Sequence, residues 1–196
     1  MRAQSYSQAK ESRRQLMSQL WMPVSDADHI EGRRNAPMTL LEYGDFECPY
    51  CAETYPVIKA VQDTIGLDMR FVFRHFPLTR LHPHAEHAAE ISEAANTIDR
   101  FWEMHDILFE NQTALDDTHL LIEARAVGLD DETARMAFEG RYADHIKKDF
   151  RGGVRSGVNG TPCLFVNGQR FDGPRDVEAI VAALEATISD TSKFDA

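Results

Sequence analysis

The hydrophobic period alternates along this sequence between strand and helix, with one long helical block between the second strand and a closing hairpin, and few folds accommodate that order. Met38-Thr39-Leu40-Leu41-Glu42-Tyr43 reads as a buried strand ended by Gly44. Pro49 suits a first helical turn, where its missing N–H costs nothing, and Val57, Ile58, Val61 and Ile65 carry a helix to Gly66. A kink is expected at Pro56. Met69-Arg70-Phe71-Val72-Phe73 alternates and is aromatic-rich, so a second strand follows and a βαβ unit begins. From Pro83 to about Gly157 the period is helical, carried by Ala85, Ala88, Ala89, Ala95 and Ile98, then Phe101, His105 and Leu108, then Leu120, Leu121, Ala124 and Val127. Gly128 and Gly140 stand where helix C-caps belong. A last helix of this block aligns Tyr142, Ile146, Phe150 and Val154, with Gly152-Gly153 weakening its end. Cys163-Leu164-Phe165-Val166 and Gln169-Arg170-Phe171 then flank Asn167-Gly168, a strong two-residue hairpin signal. Pro174 is expected to open a final helix with Val177, Ile180, Val181, Leu184 and Ile188 on one apolar face.

The result is an α/β chain with a helical insertion and no internal repeat. Upstream of it, Leu16, Met17, Leu20 and Trp21 allow one short apolar helix face, and the rest reads as a loosely docked arm. The chain has 32 acidic and 21 basic residues in 196, a net charge of -11, and residues 81–150 hold 16 acidic against 6 basic. That balance excludes nucleic acid, whose phosphates need a concentrated basic face, and leaves small molecules or proteins as partners. No apolar run approaches the roughly 18 residues of a membrane span. The polar start, without an apolar leader stretch, gives the expectation of a cytoplasmic protein, or a periplasmic one if a leader had been removed.

The chemistry concentrates in Cys48-Pro49-Tyr50-Cys51, at the passage from strand to helix. Cysteines three apart on a first helical turn can bond to each other and cycle between dithiol and disulfide. Cys48, at the N-cap, faces unsatisfied N–H groups and the positive end of the helix dipole, which favour a thiolate nucleophile. Cys51, a turn deeper, suits the resolving thiol. On spacing alone the pair is equally a structural metal half-site. The third cysteine, Cys163, leaves a four-cysteine site within one chain impossible, so a metal there needs a second chain or histidines. Pro162, after Thr161 at the head of a strand, fits an edge position or a cis bond.

Taken together, Phe46-Glu47-Cys48-Pro49-Tyr50-Cys51, the helical insertion and Gly160-Thr161-Pro162 ahead of a hairpin resemble the DsbA-like family of thiol–disulfide oxidoreductases, over roughly residues 36–188. The resemblance implies a thioredoxin fold with an inserted all-helical domain: a polar arm at 1–25, a thioredoxin-like domain at 26–80 and 158–190, and an insertion at 81–157 that includes the helix returning to the core. It implies an exposed attacking Cys48, a resolving Cys51, a cis Pro162, and a Thr161 backbone that faces the sulfurs and pairs with an extended substrate segment. Its substrates would be protein thiols and disulfides, with no organic or metal cofactor. The Pro49-Tyr50 pair is similar to that of glutaredoxins, so glutathione is an alternative co-substrate. A non-catalytic module that binds a metal or partner through the two cysteines is the rival from another class.

Other residues carry weaker signals. Cys163 is read as a small buried hydrophobe, with a third redox thiol as the alternative. His82, His84 and His87, with Glu86 and Glu90, are read as polar residues on an exposed first turn, with a metal site as the alternative. His75 is placed toward the active-site face, and Glu47, beside Cys48, is expected to raise its thiol pKa. Phe101, Trp102, Phe109 and Phe138 are expected to pack the core of the insertion.

Overall fold

The computed structural model describes residues 19–191. Five strands, β1 (His29–Gly32), β2 (Met38–Gly44), β3 (Met69–His75), β4 (Cys163–Val166) and β5 (Gln169–Phe171), form one sheet in the order β1-β3-β2-β4-β5. β2 and β3 run parallel through the crossover helix α1 (Pro49–Ile65), and every other pairing is antiparallel. Between β3 and β4 come α2 (Ala85–Asn96), α3 (Phe101–Glu110), α4 (Asp117–Ala126), α5 (Asp131–Phe138) and α6 (Ala143–Arg155), and α7 (Val177–Thr191) closes the described chain.

Every residue of β2 is buried, because both faces of the sheet are covered. Alternation along the strands sorts the core: Leu40, Phe71, Phe73, Leu164 and Val166 join Ile58 and Val61 of α1, Ile180 and Leu184 of α7, and the apolar faces of α2 to α5. Leu41, Tyr43, Val72 and Phe165 face the other way, against Phe150 of α6 and Leu20 and Val24 of the N-terminal segment. The insertion therefore shares its core with the sheet. Phe101 and Phe109 are buried in it, and Trp102 and Phe138 pack against it. The hairpin forms as expected, with Asn167 and Gly168 at φ 45° and 81°, and Gly128 and Gly140 take the left-handed conformation at their helix ends.

Five details differ from the sequence expectations. Leu16 and Met17 lie outside the described residues, but residues 19–24 form no helix: Gln19 bridges Gln169, Leu20 donates its N–H to Gly168, and Trp21 donates to Ser156 Oγ. The arm is docked because buried Arg74 donates to the Met22 and Pro23 carbonyls at 2.9 and 3.1 Å and to Asp28 at 2.6 Å. β1 adds an antiparallel edge strand with too few apolar residues to be seen as one. Val154 and Ile188 are exposed rather than part of apolar faces, and α7 is capped by Asp176, whose carboxylate accepts the Ala179 N–H, not opened by Pro174. Gly152 and Gly153 remain helical and allow close approach, since a Cβ on Gly153 would lie 2.8 Å from the Phe76 ring and 3.1 Å from Tyr43.

Candidate redox site

The site is assembled where β2 ends. Cys48 is the N-cap of α1 in extended conformation, and its carbonyl accepts the N–H groups of Cys51 and Ala52 at 3.0 and 3.2 Å. Pro49 follows at the first helical position, where no N–H is needed. The preceding turn is held by Asp45, which accepts the Glu47 N–H at 2.9 Å and the Leu78 N–H at 2.8 Å and pairs with His82 Nδ1 at 2.7 Å. Gln112, after α3, reaches in from the insertion and donates to the Phe46 and Cys48 carbonyls, both at 2.8 Å. The Thr161–Pro162 peptide is cis, and the Thr161 carbonyl accepts from Cys48 Sγ at 3.3 Å. Residues 113 apart along the chain thus meet at one sulfur.

The two thiols differ in charge preference. A hydrogen bond from Cys51 draws Cys48 down to about 5 from an ordinary 9.0; burial opposes this, and the Thr161 side chain and the backbone N–H groups of Cys51 and Tyr50 assist it. Burial, reinforced by Cys48 and by the carboxylate of Glu42, pushes Cys51 well above the usual thiol range. Glu42 is itself raised to about 8 by burial, although a hydrogen bond with Cys51 favours its charged form. Its Oε1 has no further partner. The arrangement pairs a thiolate at the helix start with a protonated thiol beside a buried acid that titrates near neutrality.

Cys48 is not exposed: 3% of it is accessible against 1% of Cys51, because its sulfur is tucked against the Thr161 carbonyl. Tyr50, in contrast, is 57% exposed, with the Arg175 guanidinium 5.9 Å from its ring centre. Glu47 does not act on Cys48, because its carboxylate turns away to accept the His84 N–H at 2.6 Å. His82 and His87 go to separate carboxylates, Asp45 and Asp117, so the three histidines do not converge. His75 points to Glu93, at 2.8 Å, away from the sulfurs. Cys163 is buried on the opposite side of the sheet and pushed up to about 11 by that burial, which keeps it a protonated, inert thiol at neutral pH. Glu42, Asp45 and Gln112 escaped the sequence reading. Only Glu42 left a signal, as a carboxylate inside a run otherwise read as buried.

A family model described as thioredoxin matches residues 25–186. The chain belongs to the thioredoxin family. The fold of this thioredoxin-family chain is also that of oxidised BdbD from Bacillus subtilis, with a TM-score of 0.78 at 22% identity over 85% of this chain and 96% of that one. A thioredoxin-like oxidoreductase from Silicibacter pomeroyi superposes with a TM-score of 0.75 at 24% identity, over 90% and 98% of the two chains. A curated relative, the Na(+)/H(+) antiporter NhaA 1 of Salinispora arenicola, is 43% identical over 174 residues, which are 88% of this chain and 26% of that protein. The thioredoxin-family chain thus spans about a quarter of the length of the curated relatives it matches. Among its described residues no helix is long and apolar enough to cross a membrane.

Proposed function

We propose that this chain is a thiol–disulfide oxidoreductase acting on protein thiols and disulfides through Cys48 and Cys51. The observation that carries the reading is Cys48 at the N-cap of α1, its sulfur against the Thr161 carbonyl, with Cys51 buried one turn deeper; the opposite displacement of the two thiols, Cys48 down to about 5 and Cys51 well up, agrees with it. In the reducing direction the Cys48 thiolate attacks one sulfur of a substrate disulfide; the other sulfur leaves as a thiolate, and a mixed disulfide forms. Cys51 then loses its proton, for which the adjacent Glu42 carboxylate is the acceptor, and attacks Cys48 Sγ. The second substrate thiolate leaves. Two electrons have passed to the substrate, and Cys48–Cys51 is a disulfide; the reverse sequence oxidises a substrate dithiol.

Thr161 supports this reading from the substrate side. Its carbonyl touches the attacking sulfur, so an extended segment laid along the Thr161 backbone would bring its own cysteine to Cys48. A cleft of about 400 Å³ that has Pro162, Leu164, Phe171 and Arg175 in its lining borders this position and offers surface for such a segment. Neither an organic nor a metal cofactor enters the exchange; glutathione is the small thiol that could replace a protein dithiol.

The test uses single serine variants with a model protein disulfide. Cys48→Ser is expected to abolish turnover, whereas Cys51→Ser accumulates a mixed disulfide that denaturing mass measurement detects. Full activity in Cys48→Ser would overturn the proposal. Turnover that stops when glutathione alone is omitted would move the chain to a glutathione-linked role.

A further inference from the structure

Away from the sulfurs, buried polar side chains gather where β1, the end of β3, α2 and α6 meet. His29 of β1 and His75 of β3 both set Nε2 against Glu93 Oε1 of α2, at 2.6 and 2.8 Å. His145 of α6 brings a third Nε2 to 3.7 Å from that same oxygen and to 3.6 Å from Asp149 Oδ2. Asp149 also accepts the His75 backbone N–H at 3.1 Å.

A carboxylate oxygen has two lone pairs, and His29 and His75 occupy both on Oε1. His145 lies within ion-pair reach of both carboxylates but beyond hydrogen-bond range of either. Its two separations instead lie near the edge, about 3.4 Å, of a tetrahedron of ligands held about 2.1 Å from a shared ion. One donor atom each from His29, Glu93 and His145 falls within a 4.8 Å span. Imidazole nitrogen mixed with carboxylate oxygen suits zinc and its borderline first-row neighbours, whereas calcium and magnesium favour oxygen alone.

The surroundings add what such a centre needs. His75 donates to Glu93 from outside the trio, and the His29 ring lies flat on Phe101, with centres 3.5 Å apart and planes 5° apart. His29 and Glu93 are buried, but the His145 side chain is 29% exposed and opens the cluster to solvent.

We propose that His29, Glu93 and His145, with Asp149 as fourth donor, bind one first-row divalent cation of the zinc type. The ion takes the place of the His29–Glu93 hydrogen bond and ties the sheet edge to two helices of the insertion. The site is independent of the sulfur chemistry.

The experiment is a calorimetric titration of zinc chloride into the full chain with Cys48–Cys51 closed as a disulfide, so that neither thiol can ligate. One equivalent is expected to bind and to raise the melting temperature. His145→Ala, at the exposed corner, is expected to weaken binding more than about tenfold. Nitrogen NMR of the unmodified protein reads the imidazoles directly, and zinc should shift the Nε2 signals of His29 and His145. Absence of saturable one-equivalent binding, equal affinity in His145→Ala and Glu93→Gln, or binding that disappears when the disulfide closes would each overturn the site; the last outcome would assign the metal to the sulfurs.

Discussion

Cys48 and Cys51 carry the same side chain three residues apart, and only their surroundings make one a nucleophile. With Cys48 drawn down to about 5, its alkylation rate should climb through pH 5 and level off before neutrality, while Cys51 stays unreactive over that range. Mass mapping of alkylated peptides across pH checks this; a Cys48 midpoint near the ordinary 9.0 would contradict it. The sign for stability follows from the same values. The Cys48 contribution is fully present above about pH 9, where the unfolded thiol is also ionised, and is lost as pH falls toward 5. Glu42 acts oppositely: its folded value of about 8 lies above the ordinary 4.5, so stability falls as pH rises between the two. The pair itself was legible in the sequence because its spacing and helix start are local. Glu42 lies on a different element, and its contact with Cys51 exists only once β2 has been laid beneath α1.

Elements with strong local chemistry were read correctly: the Asn167-Gly168 hairpin, the glycine-ended helices and the strands flanking α1. Those that depend on distant partners were not. β1 is a strand because β3 supplies its ladder, and residues 19–24 are ordered by Arg74, Ser156 and Gly168 rather than by any periodicity of their own. Gly152-Gly153 weakens α6 by propensity, yet serves its packing on Tyr43 and Phe76. The two positions separate this effect. A Cβ at Gly153 meets the Phe76 ring at 2.8 Å within a packed face, whereas at Gly152 it meets the flexible end of Met22. Gly153→Ala should therefore cost about 1–3 kcal/mol despite alanine's better helix propensity, and Gly152→Ala distinctly less. Urea unfolding of both variants measures the difference, and equal effects would contradict the packing account.

Over the described residues the insertion and the sheet share one core, and a buried ion pair ties the N-terminal segment to β3. Arg74 is 2% exposed and donates to Asp28, Tyr43 and two backbone carbonyls. Burial works against ionisation of Asp28, but the Arg74 hydrogen bonds and charge hold its carboxyl below the ordinary 3.8. Its contribution is present above that value and is lost as the solution is acidified further. Removing one partner leaves a buried charge uncompensated, so Arg74→Ala should destabilise the fold by about 3 kcal/mol or more, read as a lower urea midpoint. A change under about 1 kcal/mol would mean that the segment is not anchored as described.

Electron transfer by the two cysteines is read out in the Cys48–Cys51 reduction potential. The protein is equilibrated in graded glutathione buffers, acid-quenched, alkylated and weighed. A thiolate stabilised at Cys48 stabilises the dithiol form, so one reversible two-electron transition confined to Cys48 and Cys51 is expected, on the oxidising side of about -270 mV within the span that reaches about -120 mV. Absence of a Cys48–Cys51 disulfide at every buffer ratio would contradict the redox reading altogether.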